Sequence, residues 1–187
     1  LEHFDLAQMD ELDRMTIVAE AMKLAFADRA HWLGDPDFAD VPRGLVDAGY
    51  AAGLARRVNP KRPTTVPTHG TPPRFEDDLF GRHTTHVATA DADGNVVALT
   101  ATVNTAFGSK VIVPGTGVIL NNQMDDFSLE PGVANHFGLV GAQANAVAPG
   151  KRPLSSMSPT IVLKDGKPVA TLGAAGGPRI ITQVVLA

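Results

Sequence analysis

The sequence predicts an α+β fold. Helical spacing dominates the first sixty residues, hairpin-type strands follow from about residue 84, and a glycine turn then leads into a final helix. Helices first, then hairpins, then a helix is the pattern of α+β layering rather than of alternating βαβ units.

Each element has a local cause. Residues 10–33 read as a helix, with Leu12, Met15, Ala19, Met22 and Phe26 forming an apolar stripe at spacings of three and four. Asp10 suits its N-cap, and Gly34-Asp35-Pro36 ends it. A second helix is expected from Asp47 to Val58, with Tyr50, Leu54 and Val58 on one side. Residues 59–83 carry Pro60, Pro63, Pro67, Pro72 and Pro73, a density that blocks helix and central strand alike. This stretch reads as an exposed linker, the kind of segment where chains are cut.

From Thr84 the texture is β. Thr85–Ala90 and Val96–Val103 are expected strands around the Asp93-Gly94 turn. Lys110–Val113 and Val118–Leu120 read as short strands, and residues 128–150 as a Gly/Pro/Asn-rich loop. Thr160–Lys164 and Val169–Leu172 form a second hairpin across Asp165-Gly166. Gly173-Ala174-Ala175-Gly176-Gly177-Pro178 then opens the last helix, with Pro178 suited to its first turn.

Composition excludes several classes of function. In 187 residues there are 16 Lys+Arg against 20 Asp+Glu, a net charge of −4 with no dense cationic cluster, so nothing electrostatic favours nucleic acid or an anionic membrane. No apolar run is long enough to span a bilayer. Cysteine is absent, which removes disulfide frameworks and thiolate chemistry. The chain begins at Leu1 and stops inside the apolar stretch 180–187, so it reads as an internal piece of a longer protein.

Four segments carry candidate chemistry. The glycines at 173–177 put backbone N–H groups ahead of a helix start, where an anion or a developing oxyanion can be held. They could equally serve a strand-to-helix turn that needs positive φ. Asn121-Asn122-Gln123-Met124-Asp125-Asp126 follows the apolar run Val118-Ile119-Leu120, so a strand end opens into polar groups suited to a small charged ligand, or into an Asx-rich turn. Asp125 and Asp126, being adjacent, point in different directions and make a poor acid–base pair. The loop Lys151 to Pro159 offers hydroxyls and cations but no S-x-x-K motif, and an ordinary solvated loop fits it as well. His83 and His86, three apart at a strand start, do not share a face and have no third ligand nearby, so a metal is not expected there. Asp91 to Asn95 lacks the EF-hand glycine and glutamate positions and reads as a turn.

Thr84 stands where the linker meets the first strand. Cutting the chain before it would put a free α-amine, with a reference pKa of about 7.7–8.0, beside the residue's own hydroxyl. That amine could act as general base for the hydroxyl.

Together these segments resemble the γ-glutamyltransferase (γ-glutamyltranspeptidase) family. The carrying residues are Thr84-Thr85-His86, Asp93-Gly94-Asn95, Thr102 to Thr105, Phe107-Gly108-Ser109, Asn121 to Ser128, Lys151 to Thr160 and Gly173 to Ile181. Ala19 to Arg29 with Gly34 to Phe38 are similar to the end of that family's large subunit. The resemblance covers essentially the whole chain. It implies an N-terminal-nucleophile hydrolase with an αββα sandwich, here incomplete. It divides the chain into a large-subunit-like region, 1–83, and a small-subunit-like catalytic region, 84–187, both from one precursor that cleaves itself between His83 and Thr84.

The resemblance also implies roles. Thr84 would be the nucleophile and Thr102 would orient it. Gly176 and Gly177 would supply oxyanion donors, each worth roughly 2.7–4 kcal/mol in comparable sites. Ser155 and Ser156 would bind the substrate α-carboxylate, and Asn104, Gln123 and Asp126 its α-ammonium. Phe137 would lie in the lid, at a position that can be tyrosine, and without that hydroxyl. The substrate would be glutathione or another γ-glutamyl amide, and the acceptor water, an amino acid or a peptide. No metal or organic cofactor is implied, and the family suggests a periplasmic or secreted setting. Val87 stands where many members carry an aromatic residue. The family's main carboxylate-binding arginine lies upstream of Leu1, and neither Arg152 nor Arg179 is its counterpart. A glutaryl-type acylase of the same fold and a non-enzymatic binding module are the competing readings.

Overall fold

The computed structural model describes residues 1–64, 66 and 84–187. His83 and nearly all of the second half of the proline-rich segment lie outside the described residues. The chain divides into two compact units. The first takes the described residues before position 73 together with 128–134 and 140–152; the second takes 84–127, 135–139 and 153–187. The elements are those of an α+β fold.

In the first unit, helix α1 spans Glu11–Trp32. Asp10 caps it, its carboxylate accepting from the Asp13 N–H at 2.8 Å. Glu11 and Asp13 in the first turn and Arg29 and His31 in the last complement the helix dipole. Helix α2, Ala48–Ala55, is capped in the same way by Asp47, which accepts from the Tyr50 N–H at 2.8 Å. It ends three residues before the expected Val58, which lies beyond it in the core.

The buried face of α1 differs from the expected stripe. Ile17, Glu20 and Leu24 face inward, while Leu12 and Met15 are 75% and 63% exposed. Helix α1 carries apolar residues on more than one side, so spacing alone does not choose the buried one. Glu20 is the residue that a hydrophobic reading discards. It is buried because the Lys23 ammonium (2.8 Å) and the Thr64 N–H (2.7 Å) donate to its carboxylate, and both hold its pKa below the ordinary value. Ile17, Leu24 and Val58 form the core of this unit, with Phe4, Leu6, Met9, Leu54 and Val66 packed around it.

After α1 the chain turns at Gly34, where a Cβ would fall 2.0 Å from the Ala144 carbonyl oxygen. No side chain fits there. The close approach brings Asp35 to Arg152. One Asp35 carboxylate oxygen accepts from the Arg152 backbone N–H at 2.8 Å and from its Nε at 3.0 Å, and the other accepts from Nη2. The Asp35 side chain is fully buried, and its Arg152 hydrogen bonds hold its carboxyl far below the usual carboxylate range.

In the second unit, β1 (Thr84–Ala90) and β2 (Val96–Thr102) form an antiparallel hairpin. The register sets Thr84 opposite Thr102 and His86 opposite Thr100. The connection is wider than a two-residue turn: Asp91 accepts from the Asp93 N–H, the Asn95 N–H and the Asn95 side chain, and Gly94 takes φ +86. Strands β3 (Thr160–Lys164) and β4 (Lys167–Leu172) make the second hairpin. Asp165 and Gly166 both take positive φ (+52 and +76), the geometry of a type I′ turn. β4 starts two residues earlier than expected and takes in Pro168, which pairs with Leu163 beside a register shift where a missing N–H is tolerated. β2 packs against β3 and β4, and β1 against β4.

The two short strands expected at 110–113 and 118–120 reduce to a single bridge, Ile112 with Ile119. Lys110, Gly115 and Gly117 all take left-handed φ, which stops extension on both sides. The expected loop at 128–150 is irregular, with one 3₁₀ turn at Gln143–Asn145. Helix α3, Arg179–Leu186, follows Pro178. Among the described residues no helix is long and apolar enough to cross a membrane.

Asp35 has a depressed carboxyl pKa in the folded chain, so it contributes stability above the unfolded value of about 3.9 and loses that contribution as pH falls toward the folded value. The full-length protein should therefore be more stable than its Asp35→Asn variant at pH 7. The difference should shrink below about pH 4 in urea unfolding series run from pH 7 to pH 2.5.

Candidate active site

The site grows from the β1–β2 register. Because Thr84 and Thr102 are cross-strand partners, their side chains emerge on the same face, and the Thr84 hydroxyl donates to the Thr102 hydroxyl at 3.3 Å. The Asn104 backbone N–H donates to that same Thr102 oxygen at 2.9 Å. One oxygen is thus held by the turn that follows β2 and faces the first residue of β1.

Asn104 itself is buried and takes φ +81, a region that asparagine tolerates better than most residues. Its side-chain amide donates to the Asn122 carbonyl at 3.1 Å. Asn122 returns the contact: its side-chain oxygen accepts from the Thr105 N–H (3.1 Å) and the Thr105 hydroxyl (3.0 Å). Gly108 allows this approach. It takes φ +51, and a Cβ there would lie 2.3 Å from the Leu120 carbonyl oxygen. The polar segment after residue 120 is therefore docked onto the end of β2.

The short helical turn Gln123–Asp126 follows. The Gln123 side-chain NH₂ donates to Asp126 at 3.1 Å, which fixes the amide's orientation. The Gln123 Oε1 is buried and has no partner among the described residues. Asp125 points elsewhere, as its place next to Asp126 requires. It accepts from the His136 N–H at 3.1 Å, and its carbonyl accepts from Asn135 at 3.2 Å. Asn135 in turn accepts from the Phe137 and Leu139 N–H groups, both at 3.0 Å. This tight turn presents the Phe137 ring to Gly177, where a Cβ would fall 2.9 Å from two ring carbons.

On the far side, the Gly176 and Gly177 carbonyls accept from the Arg179 and Ile180 N–H groups and so start α3. Their own N–H groups precede the helix's first hydrogen bonds, where backbone donors are left for other acceptors. Ser155 accepts from the Met157 N–H at 3.1 Å, and the Ser158 hydroxyl donates to the Ser156 carbonyl at 3.2 Å.

These elements line one open cleft. Of the expected residues, Thr84, Thr102, Asn104, Gln123, Asp126, Phe137, Ser155, Ser156 and Gly177 line it. Gly176 does not, although it is the neighbour of one that does. His83 lies outside the described residues. Met157, Pro178 and the buried Ile180 complete the wall and had no signal beyond their place in the motifs. Sequence reasoning also missed the packing of His86. Its Nδ1 lies 2.8 Å from the Thr100 hydroxyl, and its ring occupies the space a Cβ on Gly173 would need.

The family model of γ-glutamyltranspeptidase matches residues 1–187. The chain belongs to the γ-glutamyltranspeptidase family. It is 49% identical over 190 residues to the glutathione hydrolase proenzyme of Escherichia coli strain K12, covering 99% of this chain and 32% of that protein. It is 51% identical over 169 residues to the glutathione hydrolase proenzyme of Pseudomonas aeruginosa, covering 90% of this chain and 29% of that protein. The chain thus spans about a third of the length of these curated relatives. Among solved structures, the γ-glutamyltranspeptidase of Pseudomonas nitroreducens complexed with L-DON superposes with a TM-score of 0.53 at 56% identity, covering 54% of this chain and 52% of that one. The fold is accordingly the N-terminal-nucleophile hydrolase fold of that family.

In this γ-glutamyltranspeptidase relative, Gly108→Ala should cost about 1–3 kcal/mol, because the added methyl group meets backbone on the neighbouring segment rather than a movable side chain. Chemical denaturation of the full-length variant checks this.

Proposed function

We propose that this chain carries the catalytic region of a γ-glutamyl acyltransferase or hydrolase, acting on glutathione and related γ-glutamyl amides through Thr84. The observation that carries the reading is the convergence, on one cavity, of a hydroxyl pair, a glycine turn ahead of a helix, two serines and an amide–carboxylate pair.

The chemistry begins with the precursor. The Thr84 hydroxyl attacks the carbonyl of residue 83, the acyl group moves from nitrogen to oxygen, and water hydrolyses the ester. A carboxylate is left on His83 and a free α-amine on Thr84. In turnover that amine accepts the hydroxyl proton while the oxygen attacks the γ-carbonyl. Thr102, 3.3 Å away and itself held by Asn104, orients the attacking oxygen. The tetrahedral oxyanion is received by the N–H of Gly177, which lines the cavity. The C–N bond breaks as the leaving amine takes up the proton, giving an ester on Thr84. Water or an acceptor amine then attacks the ester, passing its proton to the α-amine; the acyl C–O bond to Thr84 breaks and the α-amine returns the proton to the Thr84 oxygen.

At the other end of the substrate, the Ser155 and Ser156 hydroxyls take the α-carboxylate. Asp126, Gln123 and Asn104, which all line the cavity, take the α-ammonium. A carboxylate lining the cavity, Asp126, favours a cationic donor and so an α-amino substrate over the glutaryl group of an acylase. Phe137, packed on Gly177, covers the site as an apolar lid.

In the full-length protein, Thr84→Ala should abolish both cleavage and hydrolysis of γ-glutamyl-p-nitroanilide. Mass spectrometry of the unsubstituted protein should find a new N-terminus at Thr84. Retained cleavage and retained activity in the variant would refute the assignment. Asp126→Asn removes one charge-assisted bond of about 1.5–3 kcal/mol. It should lower kcat/KM for the γ-glutamyl substrate by roughly 10- to 100-fold while affecting a glutaryl amide much less; equal losses on both would count against the ammonium site.

A further inference from the structure

The ion pair between Asp35 and Arg152 takes no part in the chemistry above, yet it joins residues on opposite sides of position 84. We propose that it is the clasp holding together the two polypeptides made by cleavage before Thr84; the inference rests on the cleavage reading given under Proposed function.

The first unit is built from both sides of that bond. Helices α1 and α2 precede it, and residues 128–134 and 140–152 follow it. Asp35 accepts three hydrogen bonds from Arg152, one from its backbone and two from its guanidinium, and Asp37 accepts a further one from Nη2. The Asp35 side chain is fully buried, whereas that of Arg152 is 66% exposed. A carboxylate withdrawn from water is stable only while its cation stays with it. The clasp is therefore asymmetric: a buried anion on the segment before position 84 requires a cation supplied by the segment after it.

The loop that presents Arg152 is shaped in advance. The Lys151 ammonium donates to the carbonyls of Ala144 (2.9 Å) and Ala146 (2.7 Å), closing the 144–151 loop on itself. The same ammonium lies 6.0 Å from the centre of the Phe38 ring. Gly34 meets the Ala144 carbonyl at backbone contact. The acidic Gly34-Asp35-Pro36-Asp37-Phe38 turn and the basic Lys151-Arg152 corner are thus complementary in both charge and shape.

In a continuous chain the covalent link keeps the two halves at high effective concentration, and loss of the clasp is tolerated. Once the chain is cut, only noncovalent contacts hold the halves together. The clasp should matter far more after cleavage than before it.

The test compares cut and uncut full-length protein. The cut form is made by self-cleavage, or by an added protease acting on a recognition sequence inserted within 67–80. Dissociation of the two fragments is read by native mass spectrometry across a dilution series. Asp35→Asn and Arg152→Gln should each raise the fragment dissociation constant at least tenfold, and the double variant should be no worse than the worse single. The uncut variants should keep the circular dichroism of the unsubstituted protein. Unchanged dissociation in both variants would overturn the clasp. If the uncut Asp35→Asn protein fails to fold, Arg152→Lys serves instead. It keeps the charge but loses the two-pronged contact, and dissociation equal to that of the unsubstituted protein would then overturn the proposal. Lack of self-cleavage with clasp-dependent dissociation after protease treatment would refute the catalytic reading alone.

Discussion

The cross-strand pairing of Thr84 with Thr102 is the constraint on which the candidate site depends. Side chains alternate along a strand, so a slip of one residue would turn Thr84 away and present Thr85 instead. The pairing runs without a break from Thr84–Thr102 to Ala90–Val96. At the other end of the hairpin, Asp91 gathers three donors from the turn, and those bonds keep its carboxyl pKa below the ordinary value.

Beyond the register, the site is built from backbone in unusual conformations. Asn104, Gly108 and Gly177 all take left-handed φ, and each stands where two segments approach closely. Asn104 and Asn122 satisfy each other's polar groups, with Thr105 joining them, so the buried polar layer under the cavity is largely self-paired. The exception is the Gln123 Oε1, which is buried with no partner among the described residues.

The first unit follows a different principle. Its apolar core is small, and two buried carboxylates, Glu20 and Asp35, carry much of its long-range organisation. Each is paired with a cation and with at least one backbone N–H. Such groups specify which segments meet, because a buried charge tolerates no other partner. Apolar contacts are less selective, which is why the stripe read from helical spacing could fall on the wrong side of α1.

The sequence by itself determined the α+β class, both main hairpins and the helix cap at Asp10, and its resemblance to the family pointed to most of the residues that line the cavity. These rest on local signals: capping side chains, Asp-Gly turns, proline density, and motifs whose residue types are read without knowing their neighbours. Only the tertiary structure decided which face of α1 is buried, that Lys110 ends a would-be strand, that Gly177 rather than Gly176 lines the cavity, and that Asp35 finds Arg152. Those outcomes depend on contacts between residues far apart in the chain. Asp35 and Arg152 are separated by 117 positions, and no local pattern records that they will pair.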